Sequence, residues 1–435
     1  MAPLGPFGPH PRLAVGVSGG SHSLALALLS HRWARRRGGD ALGLVADHGL
    51  RAESAAEALH VAQMLAGQGI AARVLRLGLA VGSGMQERAR GARLSALTAA
   101  ANQDGRPWLL LGHHRGDQAE TLLFRALRGS GAEGLAAMAP VRDAGAALIL
   151  RPLLAVPPAA LEAVVAAAGL DPVRDPSNRD PRFARIRLRE ALADPAGTGA
   201  AVAALSSAAT AFAMRRARAA AALAERLAQA AEIRPEGFAR LDPAALGRDG
   251  VAVSVVAWLT ALIGGAGFLP ARDRAAALLA AGGGTLAGAW LRPAGGGTWL
   301  LARDPGAVAA PVEARPGIVW DARFRLLGPG RPGWSIGALG RDAARLRDHV
   351  PLPSAVLQAM PAIRDPNGML AALPGMDYPS SEACAPFAVA FAPILTGGAG
   401  SEFSGQPFKG RQPDPMFHGE GRAGDPSGTE TDKRT

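Results

Sequence analysis

Apolar and polar positions over the first 190 residues fall into blocks of two kinds. Short, dense apolar runs at 13–17, 41–45, 72–77, 107–111 and 147–150 have the length and composition of buried strands. Between them the apolar residues recur at helical spacing. Leu24 to Leu29 has the density of a packed helix, and Ala55, Leu59, Ala62 and Leu65 share one face of a helix over 54–68. Further helices are predicted over 85–102 and around Leu122, Leu123, Phe124 and Leu127, the latter stopping at Arg128-Gly129-Ser130-Gly131. Strands alternating with helices predict an α/β, Rossmann-like parallel sheet of about five strands over 12–190, with helices on both faces.

The pattern then changes. Residues 196–233 are mostly alanine and arginine with a few large side chains, which predicts one or two helices and a helical linker over 191–235. A smaller α+β region is expected over 236–375, with helices near 251–263 and 270–281 and short strands near 290–291, 298–303 and 317–327. Trp299, Trp320, Phe324 and Trp334 could stack on bases, but a small β region with few aromatics needs them inside. Residues 1–11, rich in Pro and Gly, read as a flexible N-terminus. Residues 376–435, rich in Gly, Pro, Ser and charge, read as a largely disordered tail, above all from about 397.

Composition narrows the classes. The 435 residues suffice for two or three domains. No run of about 18 bulky apolar residues occurs, so no membrane span is expected, and residues 1–11 do not read as a signal peptide. Cys384 is the single cysteine, which excludes an intramolecular disulfide framework and a cysteine zinc cluster, and a reducing cytoplasm fits. The formal net charge is +11, carried almost entirely by arginine. Beyond residue 375 five basic residues face eight acidic ones, so the body of the chain holds the whole positive excess. That points to a polyanionic partner, nucleic acid first, although arginine richness also follows from a composition heavy in Ala, Gly and Pro.

Candidate chemistry gathers at the ends of the predicted strands. The first strand runs into Ser18-Gly19-Gly20-Ser21-His22-Ser23 and then a helix. Such a turn aims backbone N–H groups and a positive helix end at one anion, and the glycines let a phosphate come close. Ser18, Ser21 and Ser23 add hydroxyls, and Ser21 or Ser23 is a candidate cap; an ordinary strand-to-helix turn is the plainer alternative. Asp47-His48 follows the second strand, and His113-His114 with Asp117 and Glu120 follows the fourth. In a parallel sheet these ends lie on one edge, which favours a shared site over structural capping. Zinc at His113 and His114 is the weaker reading, since neighbours on a turn rarely face one ion. From Arg174 to Arg189 six arginines surround an Asp-Pro-Ser-Asn turn, a basic strip suited to phosphates or simply to solvent.

The loop resembles the pyrophosphate loop of the N-type ATP pyrophosphatases, Ser-Gly-Gly-x-Asp-Ser, which adenylate a substrate and release pyrophosphate. The resemblance continues through Asp47-His48-Gly49-Leu50-Arg51, then Gln86 with Ala89-Arg90-x-x-Arg93. It goes on through His113-His114-x-x-Asp117-Gln118-Ala119-Glu120-Thr121, Arg128-Gly129-Ser130-Gly131 and Arg151-Pro152-Leu153-Leu154, to Asp175-Pro176-Ser177-Asn178 and Arg185-x-Arg187. In order and spacing over 13–189 this is similar to the tRNA(Ile)-lysidine synthases. Three positions depart from the family pattern: His22 and Gly116 stand where it has aspartates, and Leu94 where it has a tyrosine.

The resemblance implies an adenine nucleotide alpha hydrolase-like fold and an ATP-dependent ligase that joins free L-lysine to the wobble cytidine of the isoleucine tRNA with a CAU anticodon. It implies ATP at Ser18, Gly19, Gly20, Ser21, His22, Ser23 and Arg128, with Arg128 and the 171–189 segment candidates for the polyphosphate or for the tRNA, and with magnesium expected but no residue assigned to it. Asp117, Asp47, His113 and Glu120 are the implied catalytic group. Asp117, with Asp47 and Glu120 as alternates, would hold the lysine ammonium. Arg90, Arg93, His114, Asn178, Arg185 and Arg187 are implied contacts to tRNA or lysine, and a homodimer is compatible. Two rivals stay open. One is another pyrophosphate-loop adenylating enzyme, such as a thiolase, whose cysteines this chain lacks, or an amide-forming synthetase. The other is a tRNA-binding protein of the same fold without catalysis.

Overall fold

A computed structural model describes residues 1–47, 49, 53–78, 85–173, 184–328, 330–347, 350–376 and 387–393, with backbone alone for 2 and 85–90. The first strand, β1 (Arg12–Val17), leads into α1 (Ser21–Arg35). There follow β2 (Asp40–Asp47), α2 (Ser54–Gly67), β3 (Ala71–Arg76), α3 (Met85–Gln103), β4 (Trp108–Leu111), α4 (Arg115–Leu127) and α5 (Ala132–Leu135). Then come β5 (Val141–Asp143), β6 (Leu148–Leu150), α6 (Pro158–Ala167), α7 (Ala184–Leu192) and α8 (Ala200–Ala230).

The sheet has the order β3-β2-β1-β4-β6-β5. Five strands are parallel, as the alternation predicted, and the edge strand β5 runs antiparallel to β6. At three residues β5 is too short to carry a periodic signal. Alternate residues of β1 feed two cores. Leu13, Val15 and Val17 pack with α1, α2 and α6, while Ala14 faces Leu97, Ala100 and Ala101 of α3. The first eleven residues, expected to be flexible, are tied down instead: Phe7 is 8% exposed and meets the rings of Trp33 and Trp108 edge-on at 5.0 and 5.1 Å. Burying one such side chain contributes roughly 2 kcal/mol, enough to anchor a short segment.

Residues expected to link two domains are part of both. Leu205 and Phe212 of α8 pack with Leu122 and Ala137, whereas Leu223, Leu227 and Ala230 enter the next core. That core lies under an antiparallel sheet of β7 (Ala231–Arg234), β8 (Phe238–Leu241), β9 (Gly284–Leu286), β10 (Ala289–Pro293) and β11 (Trp299–Arg303). The helices α9 (Pro243–Leu246), α10 (Gly250–Gly264) and α11 (Arg272–Ala281) belong with it. Two smaller sheets complete the α+β region. One joins β12 (Val312–Glu313), β15 (Ser335–Ala338), β16 (Pro361–Arg364) and β17 (Leu370–Ala372). The other joins β13 (Val319–Trp320), β14 (Phe324–Leu326) and β18 (Val389–Phe391), and α12 (Ala343–Leu346) and α13 (Ser354–Ala359) pack nearby.

Trp320 and Phe324 are fully buried and Trp299 and Trp334 pack against the same cores, so these aromatics are structural. The tail expectation fails at one place: β18 pairs with β14, and Phe387 stacks on Trp334. Residues 377–386 and 394–435 of the expected tail lie outside the described residues. No described helix is long and apolar enough to cross a membrane.

Candidate active site

The loop after β1 is closed by its own side chains. The Ser23 hydroxyl accepts the Ser18 N–H at 3.1 Å and donates to the Gly20 carbonyl at 2.9 Å, while the Ser18 hydroxyl points at Ser23 Oγ at 3.3 Å. Ser23 is therefore spent inside the turn rather than offered to a ligand. Neither Ser21 nor Ser23 caps α1; its N-cap is Gly20, with no side-chain cap bond. Gly19 has φ +84°, and a Cβ there would stand 2.7 Å from Val61 Cγ2 and 3.2 Å from Val173 Cβ. The Val173 N–H donates to the Gly19 carbonyl at 3.0 Å, which pins this left-handed residue from the far side.

The strand order reverses at β1, since β2 and β3 lie on one side and β4 on the other. In an open parallel sheet the crevice at that reversal, beyond the carboxyl ends, is where ligands bind. Here it is narrow. A Cβ on Gly112 would come within 3.2 Å of the His22 carbonyl and Ser23 Cα, so the end of β4 lies directly against the loop backbone.

That approach brings two histidines together. The His22 and His114 rings meet edge-on with centroids 4.1 Å apart. His114 caps α4: Nδ1 accepts the Gly116 N–H at 3.1 Å, and its own N–H donates to Asp117 Oδ2 at 3.0 Å. Its Nε2 lies 3.5 Å from the same carboxylate. His22 Nε2 lies 3.8 Å from Glu162 of α6 and makes no hydrogen bond. On the other side Arg189 of α7 reaches in. It binds Glu120 in a fork at 2.6 and 3.1 Å, and its Nη2 is 3.8 Å from Asp117. The result is a row, Glu162, His22, His114, Asp117, Arg189 and Glu120, across the mouth of the crevice.

Burial keeps the histidines neutral. It lowers His22 below its ordinary value despite the pull of Asp117 and Glu162, and it pushes His114 down to about 4. Burial also raises Glu120, against the opposing charge of Arg189. For His114 the folded state refuses a proton that the unfolded chain takes up near 6.5, so stability is lost as pH falls through the window from 6.5 to about 4. His114→Asn keeps a capping oxygen and removes the imidazole. Between those pH values the parent should lose stability more steeply than the variant, by up to about 1.4 kcal/mol per pH unit. Urea midpoints against pH check this, and equal slopes would sink it.

The structure thus gathers Ser18–Ser23, His114, Asp117 and Glu120 of the residues singled out from the sequence. His113 stands half-buried at the same turn. Asp47 ends the neighbouring strand, on the same edge, but its Oδ1 accepts the Gly49 N–H at 2.9 Å and the Ser54 hydroxyl at 2.6 Å and so shapes the turn into α2. It borders a cleft with Ala55, Leu59, Val74 and Arg76. Arg128, implied as an ATP contact, ends α4, about 16 Å along the helix from Asp117, with its guanidinium over Phe124 at 4.5 Å. Arg93 is half-buried on α3, across the sheet from α1, and Arg185 and Arg187 lie on α7. Arg90's side chain and Asn178 fall outside what the structure describes.

Sequence reasoning passed over Glu162, and it read Arg189 only as one of a basic strip, not as the partner of Glu120. Arg189 carried a usable signal, because it follows Arg185 by four and shares its helix face. Glu162 carried none. Gly116 becomes intelligible: a Cβ there would press within 3.2 Å of the His114 ring that caps the helix.

Residues 3–195 match a family described as the PP-loop domain. Over these residues the chain is similar to that family. The tRNA(Ile)-lysidine synthase of Novosphingobium aromaticivorans is 50% identical over 188 residues, 42% of this chain and 57% of that protein. That of a Bradyrhizobium species is 46% identical over 198 residues, 45% and 55% of the two chains, and that of Ralstonia nicotianae 41% over 239, 54% and 49%. The chain spans about half the length of the curated relatives it matches.

A loop that carries His22 offers magnesium a poor seat. Magnesium asks for oxygen ligands in near-octahedral order. His22 supplies nitrogen, Asp117 is shared by His114 and Arg189, and Asp47 is committed to its turn. Among the described residues no three His, Cys, Asp or Glu side chains converge on one point. The side chains of the described residues do not fit a protein-held magnesium ion.

Proposed function

We propose that this protein is an ATP-dependent ligase that modifies tRNA, joining lysine to the wobble cytidine of the isoleucine tRNA with a CAU anticodon. The observation that carries the reading is the crevice itself. The strand-to-helix loop at Ser18–Ser23 lies at one edge of the sheet with the half-buried carboxylate of Asp117, in a segment that is 41–50% identical to tRNA(Ile)-lysidine synthases. The loop amides and the start of α1 hold the polyphosphate of ATP. The cytidine C2 oxygen attacks the α-phosphorus, a C–O–P bond forms and pyrophosphate leaves. The lysine ε-amine then attacks C2, the C–O bond breaks, AMP departs, and the surplus proton leaves the new C–N centre. Asp117, next to neutral His114, holds the ammonium and takes that proton. Arg189 keeps Glu120 and Asp117 apart in charge and in place.

A second reading, an RNA-binding protein without catalysis, is favoured by His22, which removes a negative charge from the loop. Incubation of the protein with ATP, lysine and unmodified tRNA, followed by nucleoside analysis, decides between them. Lysidine together with pyrophosphate is the expected result. Tight tRNA binding with no pyrophosphate at any magnesium concentration would establish the second reading. If the His22→Asp variant then released pyrophosphate, position 22 would be the cause.

A further inference from the structure

Three helices next to the site carry an arginine-rich surface, in which Arg189 is paired with Glu120. The stretches 122–128 of α4, 184–189 of α7 and 209–219 of α8 hold eight arginines and no carboxylate. They lie side by side, because α4 packs on both α7 and α8. Arg125 stands at their junction. Its guanidinium is fixed by the Gly134 and Ala137 carbonyls at 2.7 and 2.8 Å, both neutral acceptors. Burial, then Arg216 of α8, then Arg185 of α7 all disfavour its charge, so cations from three helices are within electrostatic reach of one another. Such a cluster opposes folding of the free protein, and an anionic partner would offset that cost.

The exposed part has a second feature. Arg128 lies over Phe124 at 4.5 Å, and Arg215 over Phe212 at 5.3 Å. Leu127 and Met214 beside them are 71% and 52% exposed. Planar guanidinium forks on aromatic supports suit phosphate oxygens and the faces of unstacked bases. A lipid surface fits less well. The C-terminal half of α8 is packed into the second core, so the helix cannot lie along a membrane, and the two apolar side chains are isolated among charges.

We infer that the α4–α7–α8 face, with Arg128, Arg215 and Arg218 at its exposed part, holds the phosphate backbone of the RNA on its way to the crevice. The helix α8 is thus a binding element as well as a connection. The inference rests on the RNA-modifying reading above, and its test separates the two.

The full chain and the variant R128Q/R215Q/R218Q are compared by fluorescence anisotropy on unmodified tRNA at several salt concentrations. ATP binding by calorimetry controls for folding. The variant should bind RNA at least about tenfold more weakly, with a salt slope reduced by roughly 0.7 to 0.9 per lost phosphate contact, and should bind ATP as the parent does. Arginine-selective labelling of the parent, with and without tRNA, gives an independent measure: Arg128, Arg215 and Arg218 should be protected. If the parent binds RNA but the variant matches it in affinity and slope, and labelling is unchanged, this surface is wrong while the RNA reading stands. If the parent binds no RNA, both fail. Phosphatidylserine vesicles that bind the parent and lose the variant, with RNA affinity unaltered, would overturn the inference in favour of a lipid partner.

Discussion

Gly20→Val should leave the fold intact and weaken ATP binding by at least about a hundredfold. Gly20 has ordinary extended backbone, φ −70° and ψ 157°, which valine adopts. A Cβ there would find only the Ser18 hydroxyl, 3.9 Å away, so the protein interior makes no objection. The added isopropyl group instead stands at the loop, where a phosphate must reach the first N–H groups of α1. Charge-assisted hydrogen bonds to such groups are worth about 1.5–3 kcal/mol each. Losing two of them gives about 3 kcal/mol or more, beyond a hundredfold in affinity. Gly19 would be a poor choice for this test: its positive φ and the 2.7 Å approach to Val61 make any side chain a folding defect. Calorimetry with ATP, together with a urea midpoint equal to the parent's, checks the expectation. ATP affinity within threefold of the parent would remove the loop from the nucleotide site.

The second large effect is expected far from the crevice. Asp321 lies at the β13–β14 turn, its side chain 2% exposed, between two arginines that are nearly as buried. Arg303 of β11 meets it at 2.7 and 3.0 Å, Arg323 at 2.7 and 2.8 Å, and the Ala309 N–H donates to it at 2.9 Å. Arg303 also reaches the Gly264 and Gly288 carbonyls, and Arg323 those of Gly237 and Ala359. One carboxylate thus ties β11 of the five-stranded sheet to the turn between β13 and β14. Asp321→Leu leaves two buried cations without a counter-charge and should cost about 3–5 kcal/mol. Burial by itself would raise the Asp321 pKa, but the bonds from Arg303 and the charge of Arg323 outweigh it and hold the group below the ordinary value. Its contribution is therefore present above the unfolded carboxylate pKa and lost as pH falls through the lower, folded one. Urea unfolding at pH 7 should show the full difference between parent and variant, and at pH 3 a smaller one. A difference below about 1 kcal/mol at pH 7 would mean that the region does not depend on this cluster.

The sequence by itself determined the strand and helix alternation of residues 12–190, the aromatic interior of the smaller region and the loop at Ser18–Ser23. Each rests on local periodicity or on a short turn, and local steric rules decide such features before the chain folds. It also determined that the strand-end residues share an edge, because parallel strands leave no other choice. Which of them meet was decided only by the strand order. With β4 on one side of β1 and β2 on the other, His114 and Asp117 come to the His22 side of the loop, and Asp47 is left to brace its own turn. Arg128 read as a loop neighbour because it belongs to the same motif run. The length of α4 carries it to the far end of the helix, over Phe124. The pairs Glu120–Arg189, His22–Glu162 and Arg303–Asp321 join residues from 18 to 140 positions apart. A buried charge needs its partner in space, and no spacing along the chain records where that partner will arrive.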